Sequence, residues 1–362
     1  MASRHTIKNI QLEQLDTGDT TVRLLTTDPP TFSPLKLSVY TESRALKLQE
    51  IRSRSATRRA EDNVVGSRAF WQEKLDAGYS KVARGYAALT DDDEGKARQR
   101  WIKRADKQLH LCDYMSRFSS HTAIADTSAA IVWGFPILGY PPDVVERVSL
   151  ANAGSRTTRN QRTRRSSVAP AVVDINGMTV TSIEQTVVDI ACLNGGEAGL
   201  VVADFALHHE LTSIERIHEL AERQGKRPGI GNVRRMLAVA DGRVESPAES
   251  RMRWRFFAIG FDVPQPQVVI VARGKTYRVD GYDAQQRAIY EVDGASKYAL
   301  HQDGHVQAFF DERQRETELR SLGFHIHRAT FNDVVNAANF QHWLARYAIT
   351  PTQRSKSELE IS

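Results

Sequence analysis

The pattern of hydrophobic and polar positions changes character near residues 40, 118 and 244 of the 362-residue chain. In residues 1–40, apolar and polar positions alternate loosely around three prolines, a pattern that predicts strands and turns. From residue 41 to about 118, charged and apolar residues are mixed without any proline, which favours helices with solvated faces. The sequence therefore predicts an N-terminal region over 1–117, strands then helices, and assigns it no role.

Shorter elements with clear boundaries follow. The stretch HTAIADTSAAIVWGFPIL predicts a helix of small residues that ends at Gly134. Two short runs around Asn176-Gly177 predict a tight hairpin, because both residues tolerate the left-handed backbone of such a turn. Three helical stretches and the glycine-rich turn GKRPGIGN come next, and this turn lacks the Gly-Lys-Ser/Thr ending of a nucleotide-binding loop. Residues 118–243 are predicted to form an α+β domain.

The clearest signals lie in residues 244–345. In SPAESRMRWRFFAIG, Ser246 at the N-cap, proline at the first helical position and Glu249 at the third form a capping box. A meander of three strands, a charged helix, the strand FHIHRA and a short helix follow. The predicted fold class is α/β (α+β), a mainly helical α+β region followed by a mixed-sheet domain, and residues 346–362 form a polar tail.

Acidic residues interrupt two strands of the meander. Glu291 and Asp293 project to one face of the last strand, and Asp280 on the neighbouring antiparallel strand lies within their reach. Such carboxylates repel one another unless a cation lies between them or one is protonated. Mg²⁺ or Mn²⁺ would suit these oxygen ligands and would activate water for phosphodiester hydrolysis. The sequence therefore predicts a metal site here.

Structural interpretations compete with the functional ones at several positions. Helix capping alone accounts for Glu249, and a turn before Gly294 accounts for Asp293. His325 and His327 lie two apart on a strand and have no evident third metal ligand, so we interpret them as structural.

The motifs SPAESRMRWRF, YRVDGYD, YEVDG and ERQRETELRSLGFHIHRAT resemble a family of domains grouped with the very-short-patch-repair endonucleases, within the PD-(D/E)XK nuclease superfamily. The resemblance covers roughly residues 244–340. It implies a mixed central sheet between helices, with Glu249, Asp280 and Glu291 as metal-binding acids.

The chain departs from that family's pattern in two places. Asp293 stands where the superfamily has a lysine, so the residue that orients water is open, and Asp293 itself is a candidate. Where related domains continue with histidines, this chain has DGASKYALH, which makes Lys297, His301 and Arg315 candidate electrostatic or proton-transfer residues. Each of the three has an alternative interpretation as a surface or packing residue.

Upstream, SSHTAIADTSAAIVWGFPILG and INGMTVTSIEQTVVDIACL resemble the middle region of actinobacterial proteins related to AbiEi-type antitoxins, over about residues 118–240. That resemblance implies an N-terminal winged helix that binds DNA, and residues 1–110 contain no convincing one.

Positive charge is concentrated in two blocks of a chain whose net charge is +5. Residues 41–59 hold six Lys/Arg against two Glu, and residues 155–165 hold five Arg and no acid, whereas residues 245–345 hold twelve Lys/Arg against thirteen Asp/Glu. Five candidate phosphate contacts lie in the second block, and a solvated loop is the alternative. They are Arg156, Arg159, Arg162, Arg164 and Arg165.

Composition restricts the location. No apolar run reaches the roughly 18 residues of a membrane span, and the first residues lack the apolar core of a signal peptide. Cys112 and Cys192 are far apart, which argues against a disulfide framework or a cysteine zinc site. We expect a cytoplasmic protein without a membrane partner.

The predicted function is a Mg²⁺-dependent DNA endonuclease of the very-short-patch-repair-like type, acting in defence or repair. The alternative is an antitoxin-type DNA-binding transcriptional regulator whose nuclease-like domain is inactive. The N-terminal region is a candidate for binding a protein partner, and the choice between DNA and RNA, the cleavage mode and the oligomeric state stay open.

Overall fold

The computed structural model describes residues 9–17, 20–57, 79–83, 86–89, 97–117, 121–151, 154–293 and 305–350. Over these residues the fold mixes α and β structure with mixed sheets, as the sequence predicts. Contacts divide the chain into two compact units. Unit 1 comprises the described residues within Met1–Thr31, Ala203–His209 and Arg234–Ser362, and unit 2 those within Phe32–Val202 and Glu210–Val233.

The described elements are listed in chain order: β1 (Asn9–Thr17), β2 (Thr20–Thr27), α1 (Pro34–Ser53), β3 (Ser55–Thr57), β4 (Tyr79–Ala83), β5 (Tyr86–Leu89), α2 (Ala97–Ser116), β6 (Thr122–Ile124), α3 (Asp126–Trp133), β7 (Val145–Ser149), β8 (Arg156–Thr157), β9 (Gln161–Arg164), β10 (Val172–Ile175), β11 (Met178–Thr181), α4 (Ile183–Asn194), α5 (Gly196–His208), α6 (Ile214–Gln224), α7 (Ile230–Leu237), α8 (Pro247–Ala258), β12 (Gln265–Ala272), β13 (Lys275–Asp283), β14 (Ala288–Asp293), α9 (His305–Ser321), β15 (His325–Thr330), α10 (Phe331–Val334) and α11 (Ala337–Arg346).

Unit 1 is built on a six-stranded sheet in the order β1-β2-β12-β13-β14-β15. Neighbouring strands are antiparallel except β14 and β15, which are parallel. From α8 onward the chain runs helix, three strands, helix, strand and helices, which confirms the predicted order. The three consecutive domains expected over 1–117, 118–243 and 244–345 do not coincide with the two units, because β1 and β2 extend the sheet formed by the last third of the chain.

Helices cover both faces of this sheet. Met252 and Phe256 of α8 pack with Tyr290, whereas Leu319 of α9 packs with Ile289. Since neighbouring residues of a strand point to opposite faces, α8 and α9 lie on opposite sides of β14. Strand β14 is thereby buried between two hydrophobic clusters, and Glu291 is a charged residue in its interior.

Local sequence signals place the ends of the unit 1 elements. Ser246 caps α8, where its hydroxyl accepts a hydrogen bond from the amide of Glu249 at 3.2 Å, and Pro247 begins the helix with its fixed φ. Arg273 and Gly274 join β12 to β13 with φ values of 50° and 73°, the left-handed backbone that a two-residue hairpin needs.

Unit 2 contains a six-stranded sheet in the order β10-β11-β6-β7-β9-β8 and a three-stranded sheet, β3-β5-β4. The predicted hairpin is confirmed, with φ of 53° at Asn176 and 78° at Gly177 between β10 and β11. Helix α3 ends at Gly134, as predicted. The helical prediction over 41–118 is wrong at β3, β4 and β5, because strands of three to five residues are too short for periodicity to separate them from helix.

The two cysteines of the chain are not joined to each other. Cys112 is buried, Cys192 is half-buried, and both are free thiols. Burial is the main cause that raises the pKa of both thiols, so neither is an activated nucleophile.

Among the described helices, none combines the length and the apolar character needed to span a membrane.

Candidate functional site

Charged residues of neighbouring strands meet at one level of the unit 1 sheet. Glu291 on β14 is the direct partner of Arg328 on the parallel strand β15. On the other side, the ladder between β13 and β14 ends with the pair Gly281 and Tyr290, and Asp280 and Glu291 are the next residues of the two strands beyond that pair. The predicted meeting of their carboxylates stays a prediction.

The strands separate at this level. Oδ2 of Asp280 accepts a hydrogen bond from the amide of Val292 at 3.2 Å, beyond the last ladder pair of β13 and β14. On β12, Gln267 lies opposite Asp280 and has a positive φ of 54°, which interrupts the regular ladder there. We call the four aligned residues the transverse row: Gln267, Asp280, Glu291 and Arg328.

Two arginines bind the buried carboxylate of Glu291. Nη2 of Arg315, on α9, lies 2.5 Å from Oε1, and Nη2 of Arg328 lies 3.1 Å from Oε2. Both arginines also contact Glu312, with Nη1 of Arg315 2.8 Å away. Two acids and two arginines thus form a four-residue ionic cluster on the α9 face of the sheet, which we call the arginine cluster: Glu291, Glu312, Arg315 and Arg328.

The electrostatics of the arginine cluster are mutually stabilising. Burial alone would lower the pKa of Arg315, but its hydrogen bond to Glu291 and the charges of both acids outweigh burial and raise that pKa. The pKa of Arg328 is raised in the same way. Burial would raise the pKa of Glu312, yet the two guanidinium groups lower it overall. Arg315, Arg328 and Glu312 therefore stay ionised across the neutral range.

Glu249 is occupied at the start of its own helix. Its Oε1 accepts a hydrogen bond from the hydroxyl of Ser246 at 2.7 Å, and its Oε2 accepts from the side-chain amide of Gln267 at 2.9 Å and from the amide of Glu245 at 3.3 Å. The Ser246 half of the predicted capping box is therefore found, whereas the Glu249 carboxylate binds the Glu245 amide and the Ser246 hydroxyl. Both carboxylate oxygens are engaged, and they are oriented toward β12 and the segment before α8.

The expected convergence of three carboxylates is not found. In the part of the chain that the structure describes, no three His, Cys, Asp or Glu side chains are grouped to hold a metal ion. The cause is that Glu249 binds groups at the start of α8 while Glu291 binds arginines. Mg²⁺ in proteins takes one or two carboxylates together with water and substrate phosphates. Asp280 and Glu291 are the candidates for that smaller ligand set.

The other predicted catalytic residues have separate outcomes. Asp293 is half-buried at the end of β14 and pairs with Thr330 across the parallel ladder. Arg315 lies in the arginine cluster, in contact with Glu291. Lys297 and His301 lie outside the described residues.

Asp283 caps the turn between β13 and β14, where its Oδ1 accepts hydrogen bonds from the amides of Gln285 and Gln286 at 2.9 and 3.1 Å. Asp283 is thus a turn residue and not part of the candidate site.

His325 and His327 line a cavity of about 240 Å³ together with Tyr290 and Tyr347. Burial, followed by the neighbouring charges of His325 and Arg320, lowers the pKa of His327, so its imidazole is neutral at pH 7. Within the described residues no further His, Cys, Asp or Glu is grouped with these two histidines to hold a metal ion.

The arginine-rich block of unit 2 is not the free positive surface that its local sequence predicts. Arg164 binds Asp189 at 2.6 Å and Asp126 at 3.0 Å, and Arg162 contacts Glu146. These acids come from α3, α4 and β7, so a count of charges along the loop misses them. Arg164 is consequently a structural ion-pair partner, and Arg162 is partly neutralised.

Four members of that block are exposed. Arg156, Arg159 and Arg165 lie on and around β8 and β9, and Arg162 is exposed despite its contact with Glu146. In the earlier basic block, Arg52 is paired with the buried Asp113 at 2.6 Å. The candidates for contact with phosphate are thus reduced to a smaller set than the sequence predicts.

Sequence reasoning missed Arg328, Glu312 and Gln267. A signal existed for the first two, since Arg328 follows the alternation of FHIHRA and Glu312 lies one helical turn before Arg315. Gln267 carried no signal, because its importance rests on a tertiary contact with Glu249.

No family model, curated protein or solved structure matches this chain. The resemblances to very-short-patch-repair endonucleases and to AbiEi-type antitoxins therefore stay predictions, and the geometry of the transverse row is the basis for assigning a function.

Proposed function

We propose that unit 1 is a divalent-cation-dependent DNA endonuclease that hydrolyses phosphodiester bonds at the transverse row. The observation that carries this proposal is that Asp280 and Glu291 occupy the first positions beyond the β13–β14 ladder, where Glu291 is bound by two arginines. Paired carboxylates beside cationic groups are the arrangement that phosphoryl transfer requires, because negative charge must be both held and balanced. The nuclease-like fold is part of the same proposal.

Each residue has a stated role in this proposal. Asp280 and Glu291 would hold Mg²⁺ or Mn²⁺, which when bound supplies Lewis acidity and an activated water. Arg315 and Arg328 would neutralise the charge that develops on the non-bridging phosphate oxygens. Asp293, one position from Val292 on the same strand, is a candidate for orienting the water in place of the family's lysine.

A second function is favoured by a specific observation. Both oxygens of Glu291 already have arginine partners, and an acid stands at position 293 where nucleases of the superfamily have lysine. An antitoxin-type DNA-binding regulator with an inactive nuclease-like domain would be stabilised by such a closed cluster. This alternative predicts DNA binding without cleavage under any metal.

Plasmid cleavage tests the first function against the second. Supercoiled plasmid is incubated with the purified full chain and Mg²⁺ or Mn²⁺, beside EDTA, and nicked and linear products are measured. Asp280→Asn and Glu291→Gln variants are compared with Glu245→Gln, whose carboxylate pairs with the exposed Arg278 outside the arginine cluster. Metal-dependent nicking that only the first two variants lose supports the endonuclease. Binding of DNA without any cleavage by the wild type supports the regulator.

A further inference from the structure

Glu291 is more deeply buried than the arginines that bind it. Its side chain is 11% exposed, against 21% for Arg315 and 32% for Arg328. Each of its two oxygens has its own guanidinium partner, so a divalent cation must share this carboxylate with the arginines or displace one of them. A cation between Glu291 and the arginines would also be repelled by both guanidinium charges at close range.

Glu312 gives the arginines a second partner. It contacts both Arg315 and Arg328, and its side chain is 42% exposed on α9. An arginine that leaves Glu291 therefore keeps one ion pair and stays near the transverse row. This arrangement lowers the cost of releasing Glu291, because the guanidinium is never left without a carboxylate.

Arg328 has unused hydrogen-bonding capacity. Its Nε is buried and has no hydrogen-bond partner in the described part of the chain, and the carboxylate of Glu316 lies 3.8 Å from it. The planar guanidinium presents donors in a fork that matches two oxygens of a phosphate. A nucleic-acid phosphodiester supplies those oxygens together with one negative charge.

The charges of the arginine cluster balance without any ligand, since two acids face two arginines. A divalent cation at Glu291 would add two positive charges, of which a phosphodiester anion then offsets one. We infer that Arg315 and Arg328 are a phosphodiester-binding pair that competes with divalent cations for Glu291. A phosphate that draws the arginines away from Glu291 then favours cation binding, so the cation and the nucleic-acid phosphate bind here cooperatively. This inference rests on the proposed function.

This inference makes opposite predictions for two affinities of one variant. Arg328→Gln removes a competitor for Glu291, so the affinity for Mn²⁺ without DNA rises by about tenfold. The same change removes a phosphate donor, so DNA affinity falls and its dependence on log salt flattens by about one unit. A purely structural role for Arg328 would weaken both affinities or neither.

The experiment measures Mn²⁺ binding by the electron paramagnetic resonance of free Mn²⁺, with and without a short phosphorothioate duplex that resists hydrolysis. DNA affinity is measured with the fluorescein-labelled duplex in Mn²⁺ and in EDTA. Arg346→Gln is the matched control, since Arg346 lies exposed on α11 and pairs with Asp333 at 3.0 Å, outside the arginine cluster. Arg328→Lys keeps the charge without the fork, and we expect it to restore the competition with Mn²⁺ but not the full DNA affinity.

The outcomes separate this inference from the proposed function. Tighter Mn²⁺ binding and weaker DNA binding by Arg328→Gln support the inference even if the wild type nicks no plasmid. Unchanged or weaker Mn²⁺ binding by a folded Arg328→Gln protein overturns it, even if the wild type is an active nuclease. Equal DNA affinity of the wild type in Mn²⁺ and in EDTA also overturns it, because cooperativity requires a difference.

Discussion

Nη2 of Arg328 lies 3.1 Å from Oε2 of Glu291 because the two residues are direct neighbours across the parallel strands β14 and β15. The sheet register fixes this ion pair, whereas Arg315 reaches the same carboxylate from a helix. Substitutions at Glu291 and Arg315 therefore change the charges of the arginine cluster, while the strand pairing keeps the backbone of β14 and β15 in place.

Replacing Glu291 by Gln should lower the free energy of unfolding by about 1–3 kcal/mol, because two guanidinium groups then face each other without the intervening charge. Urea unfolding followed by tryptophan fluorescence measures this change. Adding Arg315→Gln to Glu291→Gln should recover part of the loss, since one of the repelling charges is removed. Strict additivity of the two single changes would contradict the described contact.

Gly229 is a close-contact position in unit 2. A Cβ there would lie 2.3 Å from the carbonyl oxygen of Cys192, and φ is +85°. Gly229→Ala should destabilise the protein by about 3 kcal/mol or more, through both overlap and backbone strain. Gly177 has a similar φ of +78° with nothing near its added Cβ, so Gly177→Ala should cost only about 1–2 kcal/mol. Equal losses in thermal or urea unfolding would show that the overlap is relieved without cost.

Asp204 should make stability depend on pH. Burial raises its pKa from 3.8 to about 7, although the nearby Arg253, the amide of Asp241 and the hydroxyl of Ser250 act to lower it. A carboxyl group with a raised pKa in the folded state binds its proton more tightly there than in the unfolded state. Its contribution to stability is thus fully present below about pH 4 and is lost as pH rises through about 7.

The variant Asp204→Asn isolates this effect. An asparagine accepts from the Asp241 amide and donates to the Ser250 hydroxyl, the two partners that contact Asp204 at 2.8 and 2.7 Å. Relative to this variant, the wild type should lose on the order of a few kcal/mol of unfolding free energy between pH 4 and pH 8. Parallel pH profiles of the two proteins would contradict the prediction.

Substitutions of Arg164 and Arg159, which belong to the same basic block, should have different effects on stability. Arg164→Gln leaves Asp126 and Asp189 with less compensation for their burial, and we expect a loss of about 3 kcal/mol of unfolding free energy. Arg159→Gln, at an exposed position, should change stability by less than about 0.5 kcal/mol. If the loop contacts DNA, Arg159→Gln should flatten the salt dependence of binding by about one unit, measured by fluorescence anisotropy. A stable Arg164→Gln protein would contradict the assigned ion pairs.

Features that local chemistry determines could be predicted from the sequence. The start of α8 follows from Ser246 and Pro247, and the β10–β11 hairpin follows from Asn176-Gly177, because each signal lies within a few residues of the structure it specifies. Strands β3, β4 and β5 escaped prediction, since their stability comes from pairing with one another and not from a periodic pattern.

In the candidate site, too, features set by local spacing could be predicted, whereas features set by tertiary contacts could not. The turn between β13 and β14 sets the register that ends with Gly281 and Tyr290, so spacing alone indicates that Asp280 and Glu291 follow directly beyond that pair. The roles of Glu249 and Arg328 depend on side chains from other elements, Gln267 for one and Glu291 for the other. Such tertiary partners leave no mark in the local pattern, and for that reason a three-acid site was expected where the structure has two acids with two arginines.

The pairing of β2 with β12 has a consequence for synthesis of the protein. Leu25 and Val269 are partners although they are roughly 240 positions apart in the sequence. During translation, β1 and β2 emerge long before the strand that they pair with, so unit 1 completes its sheet only after most of the chain has left the ribosome. A truncated product that ends before β12 would carry an unpaired hairpin with an open edge, the kind of nascent species that chaperones retain.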